Sequence, residues 1–365
     1  MNFAELNARI FRKESVPQVL WQPRLEHWYN VNKREGTLPE RYRDMSLLEV
    51  FDDLNCSVRP YWAFNSCIQI KDDLSVRQEH ETHGERDITV THTPAGDLVS
   101  VQKRASRSHH PEKYPVVTAE DMKVMEWILT HRTVTFDHEK YRQACALIGD
   151  RAAPSIYISR VNVMRLIIDF MGFENGLRAL FEMPKETEHL LRTINETDDL
   201  LLDVVCESPI EIVNFGDNVH QMLCPPPLFK KWVMPEYIRR NEILHGAGKK
   251  TYPHWDGDCK QLLVYVRDCG FDGYEALTPL PQGDVTLEEI RDAFGDELIL
   301  LDGIPCTDFL PTEPLEGLME RTRKCIEYFH PRLVLGISDE LSPVGDIERV
   351  RLVSEIVREY ETRNT

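Results

Sequence analysis

From about residue 118 onward, short apolar runs alternate with longer stretches whose apolar residues recur at helical spacing. Helices are predicted over 119–131, 138–149, 161–182 and 185–206, with a short strand at Ser155–Ile158 between them. Further on, strand-like runs at Glu211–Phe215, Lys250–Tyr252, Gly273–Leu277, Leu298–Leu301 and Leu333–Ile337 alternate with helical runs at 227–247, 259–269, 286–294 and 313–329. A last helix, 346–362, carries Ile347, Val350, Val353, Ile356, Val357 and Tyr360 at helical spacing. Strands that alternate with helices pair in parallel, because the helix carries the chain back to the same edge. No glycine fingerprint of a dinucleotide-binding fold follows any strand, so the expected fold is α/β, a (βα)8 TIM barrel.

The first third reads differently. Phe3, Leu6 and Ile10 mark one side of a short amphipathic helix. Residues 15–60, rich in Trp, Arg and Pro, read as an irregular arm with a helix near Ser46–Leu54 and a strand following at Val58–Phe64. Residues 67–106 alternate polar and apolar, as in Asp87-Ile-Thr-Val-Thr-His92, and Thr93-Pro-Ala-Gly-Asp97 supplies a turn. That is an antiparallel hairpin, placed beside the barrel as an insertion. One domain spanning 1–365 is expected, with 1–117 as N-terminal helical arm and β-hairpin insertion and 118–365 as the barrel body.

Composition narrows the function classes. The net charge of -18 repels phosphate backbones and anionic lipid, so neither nucleic acid nor membrane is an expected partner. No run approaches the roughly 18 apolar residues of a membrane span, and the start lacks the pattern of a secretory signal, so a cytoplasmic location is expected. The nine cysteines are odd in number and form no CxxC pair; they read as reduced thiols, mostly core fillers.

Catalysis on a barrel sits at the C-terminal strand ends, and those ends are polar here. The run 211–215 leads to Asp217, Asn218 and His220; 250–252 to His254, Asp256 and Asp258; 273–277 carries Glu275; 298–301 leads to Asp302 and Cys306; 333–337 leads to Asp339 and Glu340. One histidine among several carboxylates suits either a borderline metal such as zinc or metal-free acid–base work. As single residues, Asp217 and Asp339 also suit capping, and His220 suits packing.

The runs Phe215-Gly-Asp-Asn218, Pro227-Leu-Phe-Lys-Lys-Trp-Val-Met-Pro-Glu-Tyr237, Ala247-Gly-Lys-Lys250, His254-Trp-Asp-Gly257, Gly270-Phe-Asp-Gly273 and Leu335-Gly-Ile-Ser-Asp-Glu-Leu-Ser-Pro343 resemble the uroporphyrinogen decarboxylase superfamily, over about residues 118–362. The resemblance implies a (βα)8 barrel. Trp21-Gln-Pro-Arg24 and Arg41-Tyr-Arg43 depart from the arginine-bearing segment of the true decarboxylases. The other branch moves methyl groups to or from a corrinoid on a separate small protein, at a zinc site built as His-x-Cys, a Glu on the next strand and a Cys ending the last strand. The matching positions here are His254, Asp256, Glu275 and Asp339, with Asp in place of both cysteines. Oxygen-rich coordination favours a harder, oxygen-containing substrate over a thiol.

The resemblance thus implies an O-demethylase-type methyltransferase. The methyl donor would be a small methylated molecule, a methoxylated aromatic, and the acceptor the cob(I)alamin of a partner corrinoid protein. Metal ligands would be His254, Glu275, Asp339 and Asp256, with zinc as Lewis acid; His254, Asp217 and His220 would be catalytic, and Trp21, Arg24 and Asn218 would bind substrate. The aromatic arm, with Trp21, Trp28, Tyr29, Tyr61 and Trp62, is a candidate lining for an aryl pocket or ordinary core. Family habit implies a homodimer. The alternatives are a metal-free carboxy-lyase of the uroporphyrinogen decarboxylase type and a non-catalytic binding barrel.

Overall fold

The computed structural model describes residues 1–105 and 108–364. Seven parallel strands form its central sheet: β1 (Leu20–Trp21), β2 (Ser155–Ile158), β3 (Ile212–Val219), β4 (Lys250–Trp255), β5 (Gly273–Glu275), β6 (Ile299–Pro305) and β7 (Leu333–Ser338). Their spatial order is β1-β7-β6-β5-β4-β3-β2. The sheet curls, and in place of the eighth ladder of the expected closed barrel the segment Ser57–Arg59 lies at the seam. The Ser57 amide donates to the Trp21 carbonyl on the β1 side, and the Ser57 hydroxyl donates to the Arg151 carbonyl, just ahead of β2. The segment cannot extend into a ladder because Pro60 has no amide to offer; the chain turns there into a helix, Tyr61–Phe64, where a strand to Phe64 was predicted.

The predicted elements of the body are present with shifted ends. Helices run over Ala119–Thr130, His138–Ile148, Pro184–Glu207, Leu287–Phe294, Leu315–Phe329 and Ile347–Asn364. Three are not the continuous α-helices expected; the 227–247 run consists of Pro226–Leu228, a π-helical turn Phe229–Val233 and Met234–Gly246. The 161–182 run breaks into Asn162–Arg165, a π-helical turn Leu166–Phe170 and Phe173–Glu182. Gly172 separates the last two at φ +76°, with the Tyr114 ring packed where a β-carbon would stand. The 259–269 run forms a 3-10 turn, Lys260–Tyr265. The hairpin insertion is larger than expected: Arg77–His83, Arg86–Thr93, Gly96–Arg104 and His109–Lys113 make a four-stranded antiparallel meander, and residue 106, the end of the predicted stretch, lies outside the described residues. Leu98 anchors it, while both outer strands are exposed. All nine cysteines are free thiols, and six of them are buried.

Two apolar cores follow from the two faces of the sheet. The larger fills the space between sheet and helices. The smaller lies inside the curl, where Leu20, Ile212, Ile299, Leu301 and Val334 meet Leu6, Ile10 and Phe11 of the predicted N-terminal helix, Phe3–Phe11. That helix plugs the N-terminal end of the curl, so the polar interior of the sheet opens at the C-terminal end.

Candidate active site

Above the apolar floor, the inside of the curl is polar. Gln22, Arg59, Asn214, Tyr252, Glu275 and Asp302 are all buried there. His254 and Glu275 are register partners on β4 and β5, so both side chains leave the same face at the same height. His254 Nδ1 and Glu275 Oε2 are 2.8 Å apart. The same oxygen accepts from Asn214 Nδ2 at 2.7 Å. The other, Oε1, accepts from Arg59 Nη1 and from the Tyr61 hydroxyl at 3.1 Å. Arg59 also donates to Asp302 Oδ1 at 2.8 Å and to Gln22 Oε1 at 3.2 Å. A buried polar network of this kind is stable only when its members are satisfied.

The electrostatics follow from these contacts. Burial works to lower the pKa of His254, but its bonds to Asp256 and Glu275 outweigh burial and hold it at about 10. His254 is therefore an imidazolium at neutral pH, with Nδ1–H on Glu275 and Nε2 at 3.6 Å from Asp256 Oδ2. Burial alone would raise the Glu275 carboxyl; Arg59 and His254 bring it well below the ordinary range. Asp302 goes the other way, raised by burial although Arg59 opposes the shift.

The backbone marks the same place. Four of the six non-glycine residues at positive φ among the described residues lie on these strands: Asn218, Ala276 and Asp339 at the C-terminal ends of β3, β5 and β7, and Asp302 in the middle of β6. Such conformations cost of order 1–3 kcal/mol each and persist where surrounding structure enforces them. They aim side chains that the regular alternation of a strand would not.

A cavity of about 370 Å³ opens at these strand ends, with His254 and Glu275 in its lining. Tyr61 and Tyr157 contribute rings to it, and Arg24, Asn218 and Asp339 contribute polar groups. Arg24 Nη1 donates to Asp339 Oδ1 at 3.2 Å. Arg160, from the segment after β2, donates to Asn218 Oδ1 at 2.9 Å and to Asp169 Oδ1 at 3.0 Å.

Of the residues predicted from sequence, His254, Glu275, Arg24, Asn218 and Asp339 thus share the cavity, and Asp256 stands beside His254. Three do not join them. Asp217 is fully buried on the opposite face of β3, where its Oδ1 accepts the Val161 amide at 2.7 Å; one step along a strand reverses the face. Its role here is to anchor the chain after β2. His220 lies past the end of β3 against Gly257 and is not in the cavity lining. Trp21 stacks on Phe309 outside the curl and borders a different cavity, of about 530 Å³, at the N-terminal end. Trp28 and Tyr29 are core residues and Trp62 is 43% exposed, so Tyr61 alone of the aromatic arm reaches the site.

Arg59, Asn214 and Arg160 were missed. Asn214 carries a legible signal, a lone amide within the apolar run Ile212-Val-Asn-Phe215. Arg59 carries a weaker one, a charge ending the apolar step before Pro60.

The four expected metal ligands do not assemble into a metal site. Among the described residues no three His, Cys, Asp or Glu side chains converge to hold an ion. The chemistry of the donor set agrees: the four lone-pair positions of the Glu275 carboxylate are all occupied by donors, and Asp339 is paired with Arg24. The residues present do not fit the zinc site implied by the resemblance.

The sequence matches no protein-family model and no curated protein. Solved structures do match. A methyltransferase from Methanosarcina mazei superposes with a TM-score of 0.56 at 13% identity, over 98% of this chain and 99% of that one. A B12-independent methionine synthase from a Shewanella species, in complex with selenomethionine, gives a TM-score of 0.44 at 13% identity, over 94% and 97%. The first likeness establishes a shared fold; the second adds no argument.

Proposed function

We propose that the protein transfers a methyl group from the oxygen of a small methoxylated aromatic to the cob(I)alamin of a separate corrinoid protein, with His254 as proton donor to the departing oxygen. The observation that carries this reading is the buried His254, its Nδ1 2.8 Å from Glu275 Oε2, in the lining of a cavity of about 370 Å³. The name of the Methanosarcina structure, a methyltransferase, is consistent with it.

The chemistry follows from the charges. The O–CH3 bond breaks with its electron pair left on oxygen, and the methyl group passes to the acceptor. The oxygen becomes a phenolate, and His254 Nε2 releases its proton to it. A phenol has a pKa near 10, and His254 is held at about 10, so the proton moves to the phenolate with little net cost. The Lewis-acid role assigned to zinc by the resemblance passes to this proton. Tyr61 and Tyr157 supply ring edges and faces for an aryl substrate.

Methyl transfer from guaiacol or vanillate to reconstituted cob(I)alamin, followed by absorbance, tests the reading. The wild type is expected to turn over one of them, and His254→Gln to slow the transfer by about 10²–10⁴-fold, the usual contribution of a positioned acid. No transfer from any methoxylated aromatic refutes it. The carboxy-lyase reading retains one supporting feature, Arg24, which spends a single N–H on Asp339. A 370 Å³ cavity is at the low end of the roughly 300–1,000 Å³ that ligand sites span, too small to enclose a tetrapyrrole. Incubation with uroporphyrinogen is expected to yield no coproporphyrinogen.

A further inference from the structure

We propose that Arg59 is the resident cation of this site: its guanidinium takes the place of a divalent metal and makes Arg59 the positioning residue for Glu275 and, through it, His254. The proposal concerns occupancy of the site and holds whichever reaction the cavity supports.

Three observations lead to it. The first is the acceptor count. Glu275 receives Arg59 and Tyr61 on Oε1, and Asn214 and His254 on Oε2. A carboxylate has about four lone-pair sites, so a metal ion binding either oxygen must displace one of these donors.

The second is charge. The Arg59 side chain is 1% exposed and lies between Glu275 and Asp302, which are 2% and 0% exposed. Its single charge already pairs with both carboxylates. A divalent ion at Glu275 would sit beside a guanidinium that cannot lose its proton.

The third is that the chain is shaped to hold Arg59. Its Nε donates to Gln22 Oε1, and the Gln22 amide is tied to Ser57 Oγ at 3.0 Å and the Val58 carbonyl at 2.9 Å. Asp302 turns toward Arg59 from a backbone at φ +81°. Across the ladder its register partner is Leu335, and the next residue, Gly336, leaves the space into which the Asp302 carboxylate projects; a β-carbon there would run into Oδ1. A strained aspartate and a glycine on neighbouring strands thus serve one ion pair.

The test is a binding measurement, so its outcome is separate from that of the methyl-transfer reading. Chelator-treated wild type is titrated with Co2+, whose visible absorption reports coordination. The expected result is no stoichiometric binding. One equivalent of Co2+ whose spectrum is lost in both His254→Gln and Glu275→Gln overturns the proposal, and this arm needs no Arg59 variant to fold. In Arg59→Ala, Glu275 and Asp302 lose their cation. That variant is expected to melt lower, to regain thermal stability with millimolar methylguanidinium but not with equal sodium chloride, and to take up Co2+ that methylguanidinium displaces. An Arg59→Ala protein that folds but shows neither methylguanidinium rescue nor Co2+ uptake also overturns it.

Discussion

At the scale of single residues, the site rests on His254 keeping its proton. A histidine whose pKa rises from 6.5 to about 10 on folding adds stability that is fully present below pH 6.5 and is lost as the pH climbs through about 10. Urea midpoints of wild type and His254→Gln are therefore expected to differ most at about pH 6.5 and just below, and to converge above pH 10. Asp217 belongs to a different category. Asp217→Ala leaves the buried Val161 amide without its acceptor, a loss of about 1–3 kcal/mol in denaturant titrations, while turnover per folded molecule is expected to stay within a few-fold of wild type. The sequence pattern does reveal that acids cluster at strand ends. It does not reveal which of two neighbours faces inward, because one residue decides the face and β3 loses register with β4 between Phe215 and Val219. Asp217 faces away from the cavity for that reason, whereas Asn218, turned by a positive φ, lines it.

At the scale of elements, strands and helices of the body were legible because their periods differ and their connections are short. The departures have local causes: Gly172 breaks a helix, and Pro60 ends an extended segment. Arg59 was missed because the seam segment is too short for a strand period and its partners lie up to 243 residues away. The meander over residues 77–113 was legible as antiparallel from alternation and its turn, but not in its extent. Its attachment through Leu98 is narrow. Replacing residues 77–113 by a short glycine–serine linker is expected to cost about the burial of one leucine, roughly 1.5–3 kcal/mol, and to leave His254 titrating as in the full chain. A collapse of the fold in circular dichroism would show that the meander supports the sheet.

At the scale of the whole molecule, the two ends of the curled sheet divide the work. The N-terminal helix and an apolar layer close one end, and ionic groups held by buried hydrogen bonds line the other. No helix among the described residues is long and apolar enough to cross a membrane. The fold was foreseen in outline, with its eighth ladder replaced by the segment that carries Arg59. The charge of the site was not foreseen, because a sequence shows carboxylates without showing which of them are already paired. What remains decisive is whether His254 acts as an acid. The direct measurement is the pH dependence of single-turnover methyl transfer from guaiacol or vanillate to cob(I)alamin. A rate that is level from pH 6.5 upward and falls through about 10, with the fall absent in His254→Gln, is the predicted result. A rate that rises as pH passes 6.5 would mean that neutral His254 does the work, and would contradict it.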